Sequence, residues 1–258
     1  MTEIGTARSS SASAPGPPRP DERIHPVEKG TTKHAAGAVS GRAARLSVAT
    51  AAVALVLLAL LHLLRPELDP SWQPISEYAL GEHGWIMTLA FLAWGLSAIG
   101  LFVAIRSQTR TVGGRIGLGF LLIGAAGPIL AAVFPADPIT TPPDALTTNG
   151  TLHSLGAVLG GNSLPIAAAL LTWSLTRSKA SWSSVRRRLV WATVLAWAGL
   201  IVFSVSMAIL LPRGGGQLGP EVAVGWQNRF MVVTYLAWLA IAAGLAVRAA
   251  RQPIGPNR

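Results

Sequence analysis

Six stretches of the chain are almost continuously apolar, at about 46–64, 85–105, 116–134, 151–175, 189–211 and 229–248, and short polar connectors rich in Pro and Gly separate them. Each run approaches or exceeds the roughly 20 residues that a helix needs to cross about 30 Å of hydrocarbon. A bilayer offers no water to stray backbone groups, so spanning segments are helices or closed barrels. Continuous apolarity, rather than alternation, selects helices. The expected fold is all-α, a polytopic six-helix bundle over residues 44–249, with tails at 1–43 and 250–258.

Residues 1–43 are rich in Ser, Ala, Pro and Gly, as in SSSASAPGPPRP, and carry no apolar periodicity, which predicts a disordered tail. The first apolar run starts near Leu46 and is longer than the core of a secretory signal. It predicts a retained helix.

Composition agrees with membrane residence: 51% of residues are hydrophobic and 12% charged, against about 25% charged in soluble domains. The net charge of +10 gains meaning only once the cations are located. Seven Lys and Arg fall in the N-terminal tail, three in the second connector, five in the fourth and three at the C-terminal end, 18 of 21 on one side. The opposite side holds only Arg65, Arg213 and Arg229, against seven carboxylates: Glu67, Asp69, Glu77, Glu82, Asp137, Asp144 and Glu221. Basic residues mark cytoplasmic connectors, so both termini are expected in the cytoplasm of a bacterial plasma-membrane protein. Topology and anionic headgroups account for the basic charge, and no nucleic-acid partner is expected. With no cysteine, disulfides and thiolate chemistry are excluded.

Within the spans, Gly156–Gly160 is a small-xxx-small pair, and the third helix carries Gly117, Gly119, Gly124 and Gly127 before Pro128. These predict that the third and fourth helices pack closely. Trp72, Trp85, Trp182 and Trp226 sit at predicted helix ends, where aromatic rings anchor at the headgroup level. No Asp, Glu, Lys or Arg lies at mid-span, where proton relays and ion pathways place them, so a pump or channel is disfavoured. Asn162 is the candidate polar group for a transport route between the third and fourth helices.

The chemistry gathers in the acidic-side connectors. In Pro66–Trp85, Ser71 is expected to cap a short helix running to Leu80 and stopped by Gly81. In Phe134–His153, Asn149 is a natural N-cap for the fourth helix, placing His153 in its first turn, where the dipole favours a neutral ring. Arg229, expected to open the last helix, requires a partner there: Asp137, Glu77 or a lipid phosphate. His62, His83, His153 and Asp137 are the residues from which a zinc site would be built, although no HExxH or comparable spacing exists.

The segments PISEYALGEHGWIMTLAFLAWG, FPADP, NGTLHSLGA and GWQNRF, in that order, resemble the bacterial integral-membrane family catalogued as domain of unknown function nine-nine-eight, over roughly residues 46–248. More remotely, Pro74, Ser76, Glu77, His153, Gly156 and Ala157 resemble the eukaryotic six-helix proteins around the damage-regulated autophagy modulator. The resemblance implies the same six-helix fold and singles out Ser76, Glu77, Asp137, His153 and Arg229. The eukaryotic relatives' roles in membrane lipid handling point toward lipid. The leading expectation is therefore a non-enzymatic membrane protein, with no cofactor, whose outward polar cap binds a lipid headgroup or a membrane-protein partner. The alternatives are a metal-assisted hydrolase of lipid or cell-envelope substrates, using zinc, and a small-molecule transporter.

Overall fold

The structure, a computed structural model, describes residues 40–178 and 180–251. Of the expected tails, residues 1–39 and 252–258 lie outside the described residues. Among those described, all regular structure is helical: six long helices and three short 3₁₀ turns. The long helices are α1 (Gly41–Leu64), α2 (Gly84–Ile105), α3 (Val112–Val133), α4 (Thr148–Ser178), α5 (Arg186–Leu210) and α6 (Gly225–Arg251). All six are long and apolar enough to cross a membrane, so this is a multi-pass helical membrane protein.

Helix starts differ from the apolar runs because polar caps extend them. Ser40 Oγ accepts from the Ala43 N–H, adding a turn before Leu46. Thr147, not Asn149, caps α4: its Oγ accepts from the Gly150 N–H at 3.0 Å. The shift with the greatest consequence is at α6, which begins at Gly225, so Arg229 lies a full turn inside the helix rather than at its mouth.

Successive helices pack against one another, α6 closes back on α1, and α2 touches α6 across the middle. The closest pair is α3 with α4, as the glycines predict. Backbone meets backbone there, and a Cβ on Gly156 would sit 2.6 Å from the Gly127 carbonyl oxygen. α5 is the outlying helix. Its buried residues, Leu189, Ala192, Ala196 and Gly199, all precede Leu200, and none is buried from Leu200 to Leu210.

The connections 65–83, 134–147 and 211–224 share one end of the bundle and form a cap. Three hydrogen bonds knit it: Gly225 N–H to the Ser71 carbonyl at 2.9 Å, Ile75 N–H to Asn228 Oδ1 at 3.1 Å, and Ile139 N–H to Glu77 Oε1 at 2.9 Å. The short helix expected from Ser71 is instead a 3₁₀ turn, Ile75–Ala79, introduced by Pro74. Ser71 uses its N–H on Asp69 Oδ1, closing a tight local loop upstream. Gly81 does take the left-handed conformation, at φ 77°. Trp85 and Trp226 are exposed, as membrane anchors should be, but Trp182 is fully buried and donates from Nε1 to Gln108 Oε1 at 2.9 Å. Its role is packing at the opposite end, between the 3₁₀ turn Ala180–Val185 and the connector after α2.

Candidate functional site

The cap contains two distinct polar clusters. The first surrounds Arg229, only 5% exposed. Nε donates to His62 Nε2 at 2.8 Å, and Nη1 faces the carbonyl oxygens of Gln73 (2.6 Å), Gly225 (3.0 Å) and Pro70 (3.3 Å). Nη2 donates to the Tyr78 hydroxyl at 3.2 Å, and the guanidinium also lies 5.5 Å from the Tyr78 ring and 5.8 Å from that of Trp226. Neither Glu77 nor Asp137 is its partner. A guanidinium has five N–H donors and cannot accept, so His62 Nε2 must carry a lone pair. The other ring nitrogen, Nδ1, donates to the Leu58 carbonyl at 2.7 Å, and His62 is fixed as the neutral Nδ1–H tautomer. Buried positive charge is thus dispersed over carbonyl dipoles, an imidazole and a phenol, and Arg229 binds the first cap loop to α1 and α6.

The second is a looser group: Ser76, Asp137 and His153 border one cavity, and Glu77, next to Ser76 in the chain, turns its carboxylate to Ile139. Glu77 is buried, and through its bond to Ile139 it clamps the 134–147 connection onto the 3₁₀ turn. Burial pushes its carboxyl above the usual range, with the Ile139 N–H, the Gln73 side chain and the Arg65 charge opposing. Asp137 accepts from the Thr147 N–H at 2.7 Å and the Thr147 hydroxyl at 2.9 Å, at the positive end of α4. A Cβ on Gly150 would overlap this carboxylate, so any larger residue there has to displace the Asp137 side chain. His153 is buried and donates from Nδ1 to the Phe134 carbonyl at the end of α3, 3.0 Å away, with Phe91 edge-on at 5.8 Å.

Two cavities meet at this cluster. A narrow apolar cleft of about 80 Å³ runs down between α2, α3, α4 and α6, walled by Phe91, Trp94, Pro128, Ala131, Met231 and Val232. Above it, under the cap, lies a vestibule of about 240 Å³ and mixed character, bordered by the polar Asp137, Thr140, Thr141, Ser154 and Gln217 and by the apolar Ile139, Leu146, Leu211 and Leu218. Ser76 and His153 border both. On one flank the cleft is open: α4 and α6 touch only sparsely, α5 buries nothing from Leu200 onward, and Ala157 in the cleft wall is exposed. The wall residues are apolar amino acids within spans, where nothing in their local sequence distinguishes a cleft from a core.

Among the described residues no three His, Cys, Asp or Glu side chains converge as metal ligands. His62 belongs to the Arg229 cluster, whereas His153 and Asp137 border the vestibule. His83, in the turn before α2, borders neither cavity. Asn162 is exposed on the flank of α4 and donates to the Val158 carbonyl of its own helix at 2.8 Å, so it lines no polar route between α3 and α4.

The family model described as "Protein of unknown function (DUF998)" matches residues 34–245. The chain belongs to that family. No curated protein and no solved structure matches it.

Proposed function

We propose that this DUF998 protein binds a membrane lipid one molecule at a time, seating its apolar end in the cleft and its polar end in the vestibule. The observation that carries this reading is the shared border at Ser76 and His153, which joins an almost wholly apolar compartment to one where hydroxyls, an amide and a carboxylate stand among apolar side chains. An amphiphile satisfies both, and water satisfies only the vestibule. The open flank at Ala157 lets the ligand arrive sideways from the bilayer without crossing the cap. On the distribution of Lys and Arg, the cap faces away from the cytoplasm of the bacterial plasma membrane, with both termini inside. The protein acts by binding, and the cap cluster of Ser76, Glu77, Asp137 and His153 orders the vestibule around the ligand's polar end.

A ligand that binds the folded state alone raises its stability by mass action. Delipidated protein in a non-ionic detergent should therefore melt at a higher temperature when polar lipids extracted from the producing cells are added. Ala157→Trp, which places a large ring at the open flank, should abolish the shift. A melting temperature indifferent to lipid in both proteins contradicts the proposal.

A further inference from the structure

Two buried side-chain polar atoms among the described residues have no hydrogen-bond partner, Trp94 Nε1 and Gln227 Oε1. Of the two residues, only Trp94 lines the cleft. It is 7% exposed, stands on α2 and meets the Tyr235 ring edge-on at 6.4 Å. An indole N–H can only donate, and a buried donor without an acceptor costs about as much as a lost hydrogen bond. Nε1 itself is closed off from the cleft, so a neutral acceptor delivered by the ligand would remove that cost once the indole turns toward it.

The polar side adds a second restriction. No Lys or Arg borders the vestibule, which offers the hydroxyls of Ser76, Thr140, Thr141 and Ser154, the Gln217 amide and the Asp137 carboxylate. The nearby guanidinium of Arg229 is turned to protein acceptors. A phosphate would face a carboxylate with no compensating cation. An uncharged head with a few hydroxyls would find both donors and acceptors there, set among the apolar Ile139, Leu146, Leu211 and Leu218.

Size supplies the third restriction. At roughly 10–15 Å³ per water-sized site, the cleft's 80 Å³ takes about five to eight such sites. That suits part of one hydrocarbon chain, with the remainder leaving through the open flank, and does not suit two chains side by side.

From these observations, and resting on the lipid-binding reading above, we infer that the ligand is a neutral acyl lipid of the monoacylglycerol or glycolipid type. One chain occupies the cleft, its ester or amide carbonyl accepts from Trp94 Nε1, and its hydroxylated head sits beside Ser76, His153 and Asp137.

Three probes with the same 16-carbon chain test this: 1-hexadecanoylglycerol, the ether 1-O-hexadecylglycerol, which lacks the carbonyl, and 1-hexadecanoyl lysophosphatidic acid, which adds a phosphate. Affinities are measured by thermal shift and native mass spectrometry on the full chain in detergent. The ester should bind about threefold to tenfold more tightly than the ether, the worth of one net hydrogen bond, and more tightly than the phosphate. Trp94→Phe should bind ester and ether alike, with the ether bound as in wild type, which also certifies its fold. Equal ester and ether affinities in wild type, or tightest binding of the phosphate, overturn the inference and leave the lipid-binding reading standing. If none of the three binds and no lipid is retained from cells, both fall.

Discussion

Arg229 Nε and His62 Nε2 lie 2.8 Å apart, a contact between the first turns of α6 and the last turn of α1 that requires a neutral imidazole. The same guanidinium gathers three backbone carbonyls and the Tyr78 hydroxyl, so the first cap loop is anchored by one side chain. Arg229→Met leaves these acceptors buried and unpaired, and should cost about 3 kcal/mol or more. Arg229→Lys should recover little, since an ammonium cannot reach acceptors arranged around a planar fork. Thermal or denaturant unfolding in detergent checks both. If Arg229→Met unfolded with wild-type stability, the anchoring role would be wrong.

Gly127 and Gly156 hold the backbones of α3 and α4 together, and a Cβ on either would overlap backbone of the other helix. Gly127→Ala and Gly156→Ala should each destabilise by about 1–3 kcal/mol, the usual cost of overpacking. Gly119→Ala, with nothing within 4 Å of its Cβ, should be neutral or slightly stabilising, as alanine favours helix. Equal effects at Gly119 and Gly127 in unfolding experiments would refute the close contact.

Glu77 gives the cap a pH dependence of unusual sign. Its carboxyl is raised above the ordinary 4.5 by burial, so the folded state binds this proton more tightly than the unfolded chain. The resulting stabilisation is complete below 4.5 and is lost as pH rises through the higher folded value. Glu67 and Asp69 act oppositely: the Arg65 side-chain bond lowers the first, and the Ser71 N–H lowers the second. Subtracting Glu77→Gln from wild type isolates the Glu77 contribution, and the difference should move in favour of wild type as pH falls from neutral toward 4.5. A difference that is flat or moves the other way contradicts the burial argument.

Orientation is open to a direct check because the chain has no cysteine. Glu82 at the cap end and Arg110 at the opposite end are both exposed. A membrane-impermeant thiol reagent on intact cells should label Glu82→Cys and spare Arg110→Cys until the cells are opened. The reverse pattern would place the cap in the cytoplasm.

The six spans were legible in the sequence because each has to satisfy hydrocarbon along its whole length, and the α3–α4 glycines announced their contact for a similar reason. Helix starts were less legible. Gly225 begins α6 four residues ahead of Arg229, and that one turn changes the arginine from an exposed terminal cation into a buried anchor. Asp137 and His153 were visible as polar residues in a cap, but not their partners, Thr147 and the Phe134 carbonyl, since those depend on how α3 ends and α4 begins. The cleft left no trace in the chain. Phe91, Trp94 and Met231 are as apolar as any core residue, and an unpaired indole N–H exists only once its surroundings do.

The most direct measurement is native mass spectrometry of the full chain, gently extracted, for wild type and Ala157→Trp side by side. The account predicts wild type carrying one lipid per protein through mild activation, and the variant, folded and as heat-stable as delipidated wild type, carrying none. Wild type free of bound lipid, or a variant retaining it equally, would contradict the claim that the cleft and vestibule form a lipid site.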